Sequence, residues 1–290
     1  MQYERASATE RRYLPPAVAV SVVAFALQPP ADAEAEVDAT TAADRGSALP
    51  TIWLPLVRRT RAPFLGQWAL PGGPTEWDET LADTALRTLR AAARREPGHL
   101  EQLYSFGGTE RSADAQRLVT IAYWALYGEH ELAAQPIPAT SDRRGDDTGR
   151  TDTTTRERSR RWDDPPLPAS NAEQREDDAD SLAQPAGENV AWFSADRLPA
   201  LAFDHAEIID HAVSRLRAKT EYAAVAHRFL GPEFTLGRLR AVTEAVLGQT
   251  VDPANFRRQA LARGGLVDTG KLESGGAHRP ARLYRFSEPS

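Results

Sequence analysis

Two hundred and ninety residues with 41% hydrophobic side chains allow one large domain or two ordinary ones around a substantial core. The chain has no cysteine, which excludes disulfides and thiolate metal sites, and its formal charge of −6 conceals a strong internal asymmetry. The run Ala17–Leu27 (AVAVSVVAFAL) is too short to cross a bilayer as a helix. It lacks a small-x-small cleavage site before the acidic ADAEAE, so it reads as a buried strand in a cytoplasmic chain with no membrane partner.

In chain order, residues 1–14 are polar and read as a flexible tail. The strand Ala17–Leu27 is followed by a loop from Gln28 to Leu49. Thr51–Val57 (TIWLPLV) is a second strand, and its internal Pro55 suggests an edge or a bulge. A basic turn, Arg58-Arg59-Thr60-Arg61, leads to a short strand at Trp68–Leu70 and to Pro71-Gly72-Gly73. Leu81, Ala85, Leu86, Leu89, Ala92 and Ala93 recur at spacings of three and four, which predicts an amphipathic helix over Glu79–Arg95, stopped by Pro97-Gly98. Leu100–Phe106 and Leu118–Leu126 are further strands, the second continuous enough to be central.

Residues 135–187 change character. They carry 12 Asp/Glu and 8 Arg and almost no large apolar side chains beyond Ile137, Trp162, Leu167 and Leu182. Such a segment buries too little surface to offset its ordering entropy, so a disordered insertion is expected. Ala191-Trp192-Phe193 resumes a strand, and Leu198–Phe203 leads into a helix over Asp204–Lys219 with a buried stripe of Ile208, Ile209, Ala212, Val213 and Leu216.

From Glu221 the pattern is helical and basic. Tyr222–Leu230 reads as one helix. Thr235 is an N-cap for Leu236–Leu247, with Gly248 as its stop. Asp252 and Pro253 open a third helix, Asn255–Arg263, ended by Gly264-Gly265. Leu266–Thr269 and Arg282–Phe286 are short strands around a basic loop. Helix, helix, turn, helix, hairpin is the order of a winged helix. Residues 211–290 hold thirteen basic against seven acidic side chains, a net of +6, which leaves −12 on the rest. An acidic body with a basic C-terminal module suits a polyanionic partner.

One motif carries chemistry. Leu65–Gly98 fits the Nudix hydrolase frame, Gly-x5-Glu-x7-Arg-Glu-U-x-Glu-Glu with U aliphatic, at Gly73, Glu79, Arg87 and Leu89. The three glutamate positions of its helix are Thr88, Ala91 and Ala92 instead. Carboxylates at i, i+3 and i+4 share one helix face and supply the hard oxygens that Mg²⁺ prefers, so their loss predicts a chain without this catalysis and without a metal there. The remaining parts suit a ligand. Gly72 and Gly73 can bring amides close to an anion, Arg58, Arg59 and Arg87 can meet phosphates, and Trp68 can stack on a base or sit in the core. Glu79 either faces the helix dipole or pairs with Arg87. The six histidines are dispersed, and none suggests a metal site.

Together the segments LGQWALPGG, LEQLYSFGG, LVTIAYWALY, WFSADRLPALAFDH, FTLGRLRAVTEAVLGQTVDPANFRR and RPARLYRF make the chain resemble the Nudix-related transcriptional regulators of NAD metabolism, the NrtR family. The likeness covers about Pro15–Glu131 and Asn189–Phe286. It implies an α/β (α+β) chain with a Nudix-like α/β/α sandwich on a mixed sheet, followed by a C-terminal winged helix-turn-helix domain. The boundaries it suggests are 15–203 for the effector-binding part, 204–220 for a connecting helix and 221–288 for the DNA-binding part. Family members tend to carry an Arg-Asp-Pro-Arg-like segment after the second Gly-Gly turn, where this chain has Arg111-Ser112-Ala113-Asp114.

The resemblance implies a homodimeric repressor of NAD-biosynthesis genes on a palindromic double-stranded operator, with ADP-ribose or a related NAD-derived pyrophosphate as effector and no cofactor. Its effector residues are expected among Arg58, Arg59, Trp68, Gly72, Gly73, Glu79, Arg87 and Arg111. Its DNA contacts are expected among Thr235, Arg238, Asn255, Arg257, Arg258, Lys271, Arg279 and Arg282. Two rivals remain: a Nudix hydrolase using Glu76, Glu79 and a downstream acid, and a ligand-free module binding RNA or a protein.

Overall fold

The computed structural model describes residues 16–35, 51–112, 117–138, 189–223, 225–273 and 280–287. The expected tail, nearly all of the expected insertion, and Ala113, Asp114 and Arg279 lie outside the described residues.

Two sheets form the first part. The mixed one has the order β4 (Gly72–Pro74), β1 (Ala17–Phe25), β6 (Leu118–Leu126), β5 (His99–Phe106). Its centre is the parallel pair β1–β6, in register from Ala17↔Leu118 to Phe25↔Leu126. The continuous apolar run of β1 is explained by its position, because both its faces are covered. Val20, Val22 and Ala24 pack against Ala85, Leu89 and Ala93 of helix α1 (Leu81–Ala93). Val23 and Phe25 face the opposite way, in one core with Ile208, Ile209, Ala212 and Leu216 of helix α3 (His205–Ala223). Helices on both faces of a mixed sheet make the α/β/α sandwich expected from the sequence.

The second sheet is antiparallel, in the order β3 (Trp68–Ala69), β2 (Trp53–Arg58), β7 (Val190–Ser194). Here Pro55 departs from expectation, because β2 is the middle strand. On one side Pro55 is opposite Trp192, whose N–H points away from β2 to Glu34 O at 2.9 Å. On the other side β2 meets Ala26 through Trp53 and β3 through Val57, and Pro55 falls in the gap between them. A proline needs only one unpaired position, not an entire edge.

The winged helix follows α3 through a 3-10 turn, Val225–Phe229. A continuous helix over Tyr222–Leu230 is therefore corrected: the chain turns, and Val225, Ala226 and Phe229 enter the core. Helix α4 (Leu236–Leu247) has Thr235 as N-cap and left-handed Gly248 as C-cap, as read from the sequence. Helix α5 (Pro253–Ala262) is capped by Asp252. Strands β9 (Leu266–Leu272) and β10 (Arg282–Phe286) form the wing, and Phe234–Thr235 adds a strand, β8, that the sequence did not reveal. Also unforeseen is the short helix α2 (Glu129–Ala133). Helix α1 stops earlier than Pro97-Gly98, at left-handed Arg94, whose carbonyl and guanidinium bond the backbone of Ile137.

The glycine turn is itself part of the sheet. Gly72 lies opposite Ser21 and Gly73 opposite Val20. A Cβ on Gly72 would sit 2.4 Å from Val20 O, whereas one on Gly73 meets nothing within 4 Å. Gly72→Ala should therefore lower stability by about 1–3 kcal/mol, and Gly73→Ala should cost well under half as much. Denaturant midpoints for the two variants test this difference.

Candidate functional site

The Nudix-like frame is built, but its polar groups are engaged in holding the structure. Thr80 caps α1, accepting the Asp83 N–H at 3.1 Å while Asp83 Oδ2 accepts the Thr80 N–H at 3.0 Å. This capping box occupies amides that an anion at the helix N-terminus would use. Arg87 grips Glu79 with two bonds, Nε to Oε1 at 2.6 Å and Nη2 to Oε2 at 2.9 Å, and reaches Pro74 O at 3.1 Å. Hydrogen bonding from Arg87 holds the Glu79 carboxyl down at about 2, with further help from the Thr84 hydroxyl. Of the expected ligand residues, Glu79 and Arg87 thus tie α1 to β4.

At the glutamate positions, the buried Thr88 hydroxyl donates to Ala85 O at 3.0 Å. Ala91 and Ala92 offer no donor atom to a metal. The Glu79 oxygens are already engaged, and among the described residues no group of three His, Asp or Glu converges. A divalent metal of the Nudix kind does not fit this face.

The basic turn is held by its own arginines. Arg58 Nε donates to Gly66 O at 3.2 Å and Arg59 Nε to Pro63 O at 2.8 Å, so both staple the β2–β3 turn. The Arg59 guanidinium lies 4.6 Å over the ring of Phe203. Arg111 closes on Asp204 through an ion pair and a 2.8 Å bond from Nη2, and donates to Phe106 O at 2.6 Å. Trp68 packs edge-to-face on Phe193 at 4.9 Å, beside the core.

Arg59, Arg111 and Trp68 converge around the start of α3, a place that sequence reasoning did not single out. His205 is buried there, and its Nδ1 accepts the Leu70 N–H at 2.9 Å. Burial pushes its pKa down to about 4. Phe203, two residues before it, and Phe64 in the β2–β3 turn touch edge-to-face at 4.7 Å, both exposed. The signal that could have found them is DRLPALAFDH, an apolar run that ends in an aromatic before the helix.

The basic end forms a second candidate surface. The turn between α4 and α5 is locked by Glu244, which is buried and accepts the Val251 N–H at 2.8 Å and Arg240 Nη1 at 3.1 Å. Beyond that turn α5 turns Phe256 and Ala260 toward the core and leaves Arg257 and Arg258 exposed. Asn255 Oδ1 accepts from Arg258 Nη2 at 2.7 Å, which fixes the two at the helix start.

Lys271 and Arg282 sit exposed on the wing, paired with Glu233 at 2.8 Å and Asp268 at 2.6 Å. Such surface pairs are weak. Two further expected residues are engaged within the molecule. Thr235 is 5% exposed, and its hydroxyl accepts the Arg238 N–H. Arg238 itself forms an ion pair with Glu129 of α2, on the other part of the molecule.

Residues 226–286 match the model of the NrtR DNA-binding winged helix domain. The ADPR responsive transcriptional repressor NtrR of Acinetobacter baylyi is 27% identical over 236 residues, 80% of this chain and 74% of that protein. The structure of Shewanella oneidensis NrtR complexed with a 27mer DNA superimposes with a TM-score of 0.60 at 27% identity, covering 93% of both chains. The chain is thus similar to the Nudix-related regulators of the NrtR family, most directly over its winged helix. A MutT/nudix family protein from Enterococcus faecalis, 22% identical, shares the fold with a TM-score of 0.54 over 99% of this chain and 96% of that one. Family and fold agree with the reading of the sequence. So does the winged helix at the C-terminus, which here carries the exposed Arg257 and Arg258.

The His205 bond gives a pH test. Its folded pKa of about 4 lies below the ordinary 6.5, so the unfolded chain takes up the proton first as pH falls. Stability should decline between about pH 6.5 and 4 and then level off for this group. The substitution His205→Gln keeps an acceptor for the Leu70 N–H but removes the titration. Urea midpoints at pH 7 and pH 5 should differ less in that variant than in wild type.

Proposed function

We propose that this chain is a repressor of NAD-biosynthesis genes that binds double-stranded DNA through its winged helix and responds to ADP-ribose or a related NAD-derived pyrophosphate. The observation that carries the reading is the outward arginine pair of α5, Arg257 and Arg258, on a module that matches the family's DNA-binding domain. In this reading residues 15–203 hold the effector, 204–220 connect, and 221–288 meet DNA, as a homodimer on a palindromic operator. The likeness to a repressor named as ADPR responsive supports the choice of effector.

The Nudix-like part holds its ligand without hydrolysing it, which the engaged Glu79 and the missing glutamates support. A phosphoanhydride needs metal or equivalent charge to orient water and stabilise the transition state, and Thr88, Ala91 and Ala92 provide neither.

Coupling runs along α3. At its start, Asp204 and His205 are tied to Arg111 and to Leu70. Further along, Arg217 Nε donates to Val246 O at 3.1 Å, at the end of α4. Lys219 bonds Glu101 of β5 at 2.6 Å, and Glu129 holds Arg238 from the side. An effector that prefers one placement of α3 shifts the DNA-binding part with it, since only unequal affinity for two states moves their balance.

Two measurements check this. A gel shift on DNA upstream of the chain's own gene should show a complex that ADP-ribose dissolves, with no Mg²⁺-dependent release of AMP. AMP release that Glu79→Gln abolishes would establish a hydrolase instead. Replacing both Arg257 and Arg258 by Ala should weaken specific binding by about 1–3 kcal/mol per lost base contact and flatten its salt dependence. Unchanged affinity in a folded double variant refutes the assignment of α5.

A further inference from the structure

Three described residues other than glycine have a positive φ: Phe64 at 67°, Arg94 at 53° and Phe203 at 55°. Arg94 is explained as the C-cap of α1. The other two have no such role. A bulky side chain in the left-handed region is uncommon and strained, and strain of this kind persists where the surroundings over-determine it, often at binding sites.

Both strained residues carry aromatic rings, and the rings touch each other at 4.7 Å and 62°. Each is 41% exposed, where burial alone would hide it. They come from separate segments, the β2–β3 turn and the entry to α3.

The surroundings do over-determine them. On the Phe64 side, Gly66 N–H donates to Arg59 O at 2.8 Å, Gln67 N–H to Phe64 O at 3.1 Å, and the Arg58 and Arg59 guanidiniums close the turn. On the Phe203 side, Ala202 N–H donates to Trp68 O at 2.8 Å, and the next two residues are clamped by Arg111 and by the Leu70 N–H. Arg59 belongs to both, because its guanidinium also covers the Phe203 ring.

We propose that Phe64 and Phe203, with Arg59 stacked on the second, form a preset platform for a planar nucleobase, the adenine end of the effector. Aromatic rings backed by a guanidinium suit a flat, polarisable ring system, for which stacking is the natural contact. Isolated apolar side chains on a surface need no such support, but two strained and braced rings do. This rests on the reading of the chain as a nucleotide sensor, and it supplies what that reading lacked, a site for the base. It also places the ligand against the first turn of α3, so stacking bears directly on the helix that connects the two parts. Arg58, Arg59 and Arg111 become positioning residues, and the two phenylalanines become the contacts.

Calorimetric titration of the full chain with ADP-ribose, AMP and ribose 5-phosphate tests the platform. Phe203→Leu and Phe64→Leu should each lose about tenfold or more in affinity for ADP-ribose and AMP, while Phe203→Tyr stays near wild type and ribose 5-phosphate, which has no base, distinguishes none of them. Phe64→Gly removes the strained side chain. It should hold or raise the unfolding midpoint while lowering nucleotide affinity, whereas a merely structural ring would lower the midpoint.

Unchanged ADP-ribose affinity in both leucine variants overturns the platform and leaves the sensor reading standing. If wild type ignores ADP-ribose but binds AMP through these rings, the effector assignment falls and the platform stands. Wild type that binds neither overturns both. Leucine variants that keep nucleotide affinity but lose self-association in sedimentation assign the rings to an interface between copies, which also overturns the proposal.

Discussion

A single apolar stripe holds the molecule together. Ile208, Ile209, Ala212 and Leu216 of α3 are all 1% exposed or less, and they join Val23, Phe25 and Trp124 of the mixed sheet to Phe229, Phe234, Leu239 and Val246 of the winged helix in one continuous core. Each large side chain so buried contributes about 1.5–3 kcal/mol. The polar bridges between the same parts, Lys219 with Glu101 and Arg238 with Glu129, involve side chains 31–46% exposed. Pairs that wet are worth about 0–1 kcal/mol each. Burial therefore fixes α3 in the molecule, and the ion pairs around it add only modest energy.

The same division between burial and polar adjustment shapes the Nudix-like half. Much of the frame around the motif is structural: Glu79 and Arg87 bind β4 to α1 through Pro74, and Gly72, the neighbour of the motif's Gly73, is required by the approach of Val20 O. The positions whose acidity serves chemistry alone, Thr88, Ala91 and Ala92, are the ones that depart from the motif. Absence of carboxylates at those positions removes repulsion among like charges and leaves the fold intact.

Polar groups near the strained phenylalanines show how neighbours decide what a side chain does. Arg58, Arg59, Trp68 and Arg111 stand beside or around the start of α3. The arginine donors are nevertheless aimed at Gly66, Pro63, Phe106 and Asp204 rather than at open space. A residue's type reports which bonds it can make. Only its neighbours report which it does make.

Periodicity and capping made much of the fold legible. The apolar stripe of α3, the Thr235 and Gly248 limits of α4, the central place of β6 and the order of the winged helix all follow from local spacing and from caps whose partners lie within four residues. The lost metal face was equally legible, since i, i+3 and i+4 on one helix need no tertiary information. Tertiary structure alone decided the rest, because long-range partners settle it. Pro55 lies in a middle strand because its unpaired side falls between Ala26 and β3. Arg238 pairs with Glu129 across 109 residues of chain. Phe64 and Phe203 meet from distant segments of the sequence, in a left-handed backbone that only the bonds around them can hold.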